Sequence, residues 1–154
     1  MELPRLNFPD YNFNIKPSTV GKRAFKIFDK IRLKYVSLTP EEWVRQHVLH
    51  FLTEELKYPK GLIGVEKELK LGVLSKRFDA LIYSLDHQPI MLLECKAPHV
   101  PISQEVFDQA ARYNLVLRVP YLLIANGHEL FCCRVNNEEG SYEFLGEVPG
   151  YQQL

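Results

Sequence analysis

At 154 residues the chain is long enough for one domain with its own hydrophobic core and too short for a catalytic domain joined to a motor. Hydrophobic residues at 46%, charged residues at 25% and a mean hydropathy of -0.18 exclude a disordered chain. Lys and Arg together number 19, as do Asp and Glu, which argues against an avid, sequence-independent DNA binder and leaves room only for a local phosphate patch.

The chain opens on Met1-Glu2-Leu3-Pro4-Arg5, without a charged-then-apolar leader pattern, and 18 apolar residues nowhere run together. A soluble, unexported, cytoplasmic protein without membrane contacts is expected. Residues 1–23, punctuated by Phe8-Pro9-Asp10-Tyr11 and Lys16-Pro17-Ser18-Thr19, read as an extended arm laid on a single domain over 24–154. Ala24 to Phe28 alternates weakly, as an edge strand would, and Arg32 to Val36 leads into the first strong signal.

That signal is Thr39-Pro40-Glu41-Glu42, a capping box with Thr39 as N-cap, Pro40 at the first helical position and Glu42 three residues after the cap. Trp43, Val44, His47, Val48, Phe51, Leu52 and Leu56 then recur at helical spacing, which predicts a helix over 40–57, ended by Tyr58-Pro59-Lys60-Gly61. Leu62 to Leu71 alternates as a strand, with Glu66 on its wetter face. Gly72 to Ser75 makes a turn, Lys76 to Tyr83 a second strand, and Asp86-His87-Gln88-Pro89 another turn. Ile90 to Lys96 is a third strand, apolar on both faces like a covered central strand.

Ala97-Pro98-His99-Val100-Pro101 breaks the sheet, and Ser103 caps a second helix running to Leu117. Val119 to Ala125 and His128 to Val135, joined by Asn126-Gly127, predict a hairpin with a type I′ turn, and Tyr142 to Leu145 suits a short further strand. The order is α-β-β-β-α-β-β, an α+β fold with a mixed central sheet flanked by helices.

Charge in the apolar strands is the costly feature, because unpaired burial of an ionised group costs roughly several kcal/mol. Residues two apart on a strand share a face, so Glu94 and Lys96 project together with Leu92 while Cys95 points away. By the same alternation Arg77, Asp79, Leu81 and Tyr83 share a face, and antiparallel pairing brings Asp79 within a few residues of Lys96. Two neighbouring carboxylates raise each other's pKa unless a cation lies between them, and hard oxygen ligands suit Mg²⁺. A salt-bridge cluster at the sheet's end, without chemistry, is the other reading of the same residues, and short acid and lysine patterns arise often by chance.

The element order, with Asp79 in the second strand of the meander and Glu94-Cys95-Lys96 in the third, resembles the PD-(D/E)XK nuclease core. Gln109-Ala110-Ala111-Arg112-Tyr113 resembles the Gln-xxx-Tyr motif of the RecB-like and type I restriction branch. Thr39 to Gln46, Arg77-Phe78-Asp79, Leu93 to Pro98, Gln109 to Asn114 and Ala125-Asn126-Gly127 look like the N-terminal nuclease-type domain of type I restriction enzyme R subunits, close to its small stand-alone bacterial versions. The resemblance covers residues 24–135.

The resemblance implies a restriction-endonuclease-like core and a nuclease acting on nucleic acid, DNA foremost, with Mg²⁺ or Mn²⁺. Asp79 and Glu94 would ligate the metal with the backbone carbonyl of Cys95, and Lys96 would position the attacking water. Gln109 and Tyr113 would face the site, contacting substrate or steadying the Lys96 strand. Glu42 would join the outer shell of the metal beside its capping role, with Glu66 as a spare acid. No G-x-x-x-x-G-K-[ST] occurs in the sequence, so ATP-driven translocation is not expected of it. The alternative is a catalytically weak or inactive nuclease-fold module that binds nucleic acid or a protein partner. One site cuts one strand at a time, so double-strand cleavage would require dimerisation or two encounters, which leaves a homodimer or a partner supplying specificity open.

Remaining candidates carry less. His47 and His50 lie one turn apart without further ligands, reading as core edge and surface. His128-Glu129 lacks a second zinc-binding histidine. Cys95, Cys132 and Cys133 match neither a disulfide framework nor zinc spacing, as in a reducing compartment. Arg112, Arg118, Lys76 and Arg77 could rim a phosphate site.

Overall fold

A computed structural model describes residues 2–21, 24–71 and 74–154. The first two residues of the turn expected over Gly72 to Ser75 lie outside the described residues, as does the side chain of Lys76 expected in the basic rim. Three short strands, β1 (Ile15–Pro17), β2 (Phe25–Asp29) and β3 (Lys34–Ser37), form an antiparallel sheet before the first helix. The strand expected over Ala24 to Phe28 is β2, although it lies between β1 and β3 rather than at an edge, and the expected order omitted its two neighbours. The strands of this sheet are short and only weakly alternating, so they leave little periodic trace.

Helix α1 (Pro40–His50) starts as expected, Thr39 Oγ1 accepting the Glu42 N–H at 3.0 Å. The box is half closed, because the Glu42 carboxylate turns instead to Arg32, Arg45 and Gln46. Beyond His50 the helix widens into one π turn, Phe51–Glu55, rather than continuing as α-helix to 57. Lys57, with φ +59°, then reverses the chain.

The main sheet has six strands in chain order: β4 (Ile63–Leu71), β5 (Leu74–Tyr83), β6 (Pro89–Cys95), β7 (Tyr121–Ala125), β8 (Leu130–Asn136) and β9 (Ser141–Leu145). All neighbours are antiparallel except β6 and β7, which run parallel because helix α2 (Gln104–Leu117) crosses between them. The sheet is mixed and the fold α+β, as the element order required. Ser103 occupies the N-cap of α2 but its side chain makes no capping bond. The β7–β8 hairpin is looser than a two-residue turn: pairing ends at Ala125 and Leu130, and the positive φ falls on Gly127. The Asn126 side chain organises this connection by accepting the His128 and Glu129 N–H groups.

Two apolar clusters cover the sheet. Ala80, Ile82, Met91, Leu93 and Cys95 pack toward Val44, Val48 and Leu52, whereas Phe78, Leu81, Leu92 and Ile124 pack toward Phe107 and Ala110 of α2. A fully buried side chain such as Leu93 contributes about 1.5–3 kcal/mol. Strand β5 changes face between these clusters. Strict alternation would group Phe78 with Ala80 and Ile82, yet Phe78 packs with Leu81. The expected shared face of Arg77, Asp79, Leu81 and Tyr83 is therefore broken at Asp79, beside Glu66 of β4, whose φ of +52° interrupts the ladder between Val65↔Ala80 and Lys67↔Phe78.

The N-terminal segment is bound to the body. Trp43 Nε1 donates to Pro4 O at 2.9 Å, the Asn7 N–H donates to Gly127 O at 2.7 Å, and Leu6 is buried against Gly127. Phe8, Tyr11 and Phe13 lay their rings on His47, and Tyr11 and Phe13 also on His50. This cover buries both histidines, including the one expected at the surface, and each Nδ1 lies within hydrogen-bond reach of the carbonyl four residues earlier. Among the described residues no helix is long and apolar enough to cross a membrane.

Candidate active site

The face change in β5 turns Asp79 toward the end of β6. Its Oδ2 accepts the backbone N–H of Cys95 at 2.6 Å, and its Oδ1 accepts from Arg45 Nη2 at 2.6 Å. Just beyond β6, the Lys96 N–H donates to Ala125 O at 2.8 Å, so the parallel β7 partner fixes the strand end that carries the lysine.

A cleft of about 310 Å³ opens here. Asp79, Glu94, Cys95, Lys96 and, from α2, Gln109 line it, together with Glu41, Arg45, Glu66, Arg77 and Phe78. The expected Asp79, Glu94, Lys96 and Gln109 thus meet beside Cys95, and the spare acid Glu66 lines the same cleft. Tyr113 stands one turn further along α2 and packs edge-on against the Phe78 ring, with centroids 6.0 Å apart, so it supports the wall rather than forming it. Glu42 lies behind the wall, where Arg32 Nη2, Arg45 Nη1 and Gln46 Nε2 donate to its carboxylate. The first-helix acid that reaches the cleft is Glu41. Of the expected basic rim, Arg77 lines the cleft.

Sequence reasoning missed the charge network beneath. Arg32 Nε donates to Asp29 Oδ2 at 2.5 Å, and its other nitrogens reach Glu42 at 2.6 Å and Glu66 at 2.8 Å. Arg45 joins Glu42 at 2.8 Å, Glu66 at 3.3 Å and Asp79. Arg77, largely exposed, adds a contact to Glu66 at 2.7 Å. Glu42, Arg45 and Gln46 fall at i, i+3 and i+4, a polar stripe beside the apolar one, and this was the one local signal available.

Environment separates the acids. Burial opposes ionisation of Glu66, but Arg32, Arg45 and Arg77 outweigh it and hold the carboxyl below its usual range. Glu41 is raised, by burial and then by repulsion from Asp79. Burial likewise opposes the Arg45 charge, and Asp79 and Glu42 more than offset it, keeping the guanidinium protonated. Burial, and then the neighbouring Asp79, push the Cys95 thiol well up, which disfavours its thiolate form.

Residues 40–149 match the family model described as type I restriction enzyme R protein N terminus (HSDR_N). Comparison with curated proteins finds no match. Among solved structures, a fragment described as from an HsdR subunit of a type I restriction enzyme of Vibrio vulnificus YJ016 aligns with 73% of this chain at a TM-score of 0.52 and 23% identity, a likeness of fold. The chain spans 24% of the length of that structure.

Proposed function

The chain belongs to the family of type I restriction enzyme R protein N-termini, and from that premise we propose that it is a metal-dependent nuclease domain hydrolysing phosphodiester bonds of DNA. The observation that carries this reading is the convergence of Asp79, Glu94, Lys96 and Gln109 on one cleft, with the Cys95 N–H bonded to Asp79. Two carboxylates and a backbone carbonyl are a hard-oxygen donor set that suits Mg²⁺ or Mn²⁺ with water completing the shell. Among the described residues no three His, Cys, Asp or Glu side chains gather into a ligand cluster. The fit is therefore to a water-rich site of two carboxylates, not to a full protein cage.

In this reading Asp79 and Glu94 hold the ion, with the Cys95 carbonyl as third protein ligand. A divalent ion supplies a lowered pKa for a water molecule and positive charge opposite the developing phosphoryl oxyanion. Lys96 orients the water through its ammonium group and adds charge beside the scissile phosphate. Gln109 offers an amide to the substrate backbone, Tyr113 keeps the Phe78 wall in place, and Arg77 on the rim faces the phosphates. Glu42 acts through Arg45, at one remove from the ion.

Plasmid, linear duplex and single-stranded DNA incubated with purified protein and Mg²⁺ or Mn²⁺ test the proposal, with Glu94→Ala and Lys96→Ala as controls. Cleavage that both substitutions abolish is the expected result. Intact DNA throughout, or variants that cut like the parent, would sink it. One observation favours a second reading, a module of the same fold that binds DNA or a protein partner without cutting: Arg45 already holds one Asp79 oxygen. Retention of DNA without any divalent-ion binding would select that reading.

A further inference from the structure

We propose that Arg45 is the resident cation of this cleft: it neutralises Asp79 when no divalent ion is bound, and such an ion takes Asp79 Oδ1 only by displacing the guanidinium. The inference rests on the metal-site reading above and names what regulates that site.

Both oxygens of Asp79 are committed, and unequally. Oδ2 is held by a backbone N–H, that of Cys95, which is fixed by the strand. Oδ1 is held by the tip of a long side chain, Arg45 Nη2. Only the second partner can move without unpicking the sheet. A guanidinium and a divalent ion on one carboxylate oxygen also repel each other, so the two compete for it.

Arg45 has somewhere else to go. Nη1 already donates to Glu42 Oε2 at 2.8 Å and lies 3.3 Å from Glu66 Oε1, and Nη2 is 3.9 Å from Glu41 Oε1, on a side chain exposed enough to swing toward it. Releasing Asp79 therefore leaves the arginine charge compensated. Its Nε–H is buried without a partner among the described residues, so the group is not locked by a complete set of bonds. The acceptor it would fall back on is itself fixed, since Glu66 is also held by Arg32 and Arg77.

Mn²⁺ titration of the full chain without nucleic acid, followed by the paramagnetic resonance of free Mn²⁺, tests the proposal. Arg45→Gln should tighten Mn²⁺ binding about tenfold or more, as expected when a competing charge leaves a carboxylate. A folded Arg45→Gln protein that binds Mn²⁺ as the parent does, or more weakly, overturns the proposal and leaves the nuclease reading standing. Asp79→Asn that keeps the affinity of the parent removes the metal site itself and takes both readings down. If Arg45→Gln does not fold, Mg²⁺ titration of the parent by nuclear magnetic resonance decides: the Arg45 Nε–H signal should shift in step with the Cys95 amide. A Cys95 amide that moves while the Arg45 signal stays still overturns displacement.

Discussion

The Cys95 backbone N–H donates to Asp79 Oδ2 at 2.6 Å, so the acid of β5 is clamped to the segment that carries Glu94 and Lys96. A hydrogen bond to a charged acceptor contributes about 1.5–3 kcal/mol, and Arg45 adds a second from the other side. Asp79→Ala should therefore destabilise the fold by about 1–3 kcal/mol, and Asp79→Asn, which keeps one acceptor oxygen, by less. Urea unfolding measures both. An Asp79→Ala protein with the midpoint of the parent would mean that the clamp holds nothing.

Glu94 and Lys96 are different, because each lies at the cleft end of β6 and only half-buried. Glu94→Gln and Lys96→Met should change stability by less than about 1 kcal/mol while lowering DNA cleavage at least about 100-fold, the usual loss when a group acting on charge or proton transfer is removed. Gln109→Ala should raise KM more than it lowers kcat, since its amide is assigned to substrate binding. Equal cleavage by the parent and the Lys96 variant would remove the lysine from the chemistry.

The central strands were legible because their signals are local. The apolar run of Ile90 to Leu93 reads as a strand covered on both faces, and Met91 and Leu92 do fall in opposite clusters. Antiparallel pairing alone brought the polar ends of β5 and β6 together, but not the side of β5 on which Asp79 lies. What could not be read was set by distant partners. Arg45 reaches Asp79 across 34 residues, and the face change in β5 depends on Glu66 adopting a left-handed backbone that no residue preference demands. The burial of His50 depends on a segment some 40 residues earlier in the chain folding over it.

That cover makes stability depend on pH. Burial pulls the His47 and His50 pKa values below the ordinary 6.5, with a smaller push in the same direction from His50 on the former and from Lys30 on the latter. The Trp43 and Gln46 carbonyls oppose this without overcoming it. Folded-state values below the unfolded ones mean that the unfolded chain binds more protons in between, so stability is full above pH 6.5 and falls as pH drops below it, by at most about 1.4 kcal/mol per pH unit for each histidine. The depressed acids act lower. Burial opposes ionisation of Asp29 but the Arg32 N–H groups outweigh it, so its contribution is lost only as pH falls below its ordinary 3.8. Urea midpoints at pH 7.5 and 5.5 should differ in the parent and converge in a His47→Gln, His50→Gln protein. Equal midpoints in the parent would refute the assignment.

Glu66 combines two opposing terms that substitution can separate. Its carboxylate accepts from Arg32 and Arg77 and lies 3.3 Å from Arg45, while its φ of +52° costs about 1–2 kcal/mol for any residue with a Cβ. Glu66→Ala loses the contacts and keeps the backbone strain. Glu66→Gly loses the same contacts and relieves it, at a smaller cost in unfolded-chain entropy. The glycine variant should therefore be the more stable of the two by about 1 kcal/mol, although both fall below the parent because Arg32 and Arg45 lose an acceptor. Chemical denaturation of the pair reads the difference directly. An alanine variant as stable as the glycine one would mean that the strand relaxes out of the left-handed conformation once the carboxylate is gone, and that the arginines impose the strain on Glu66.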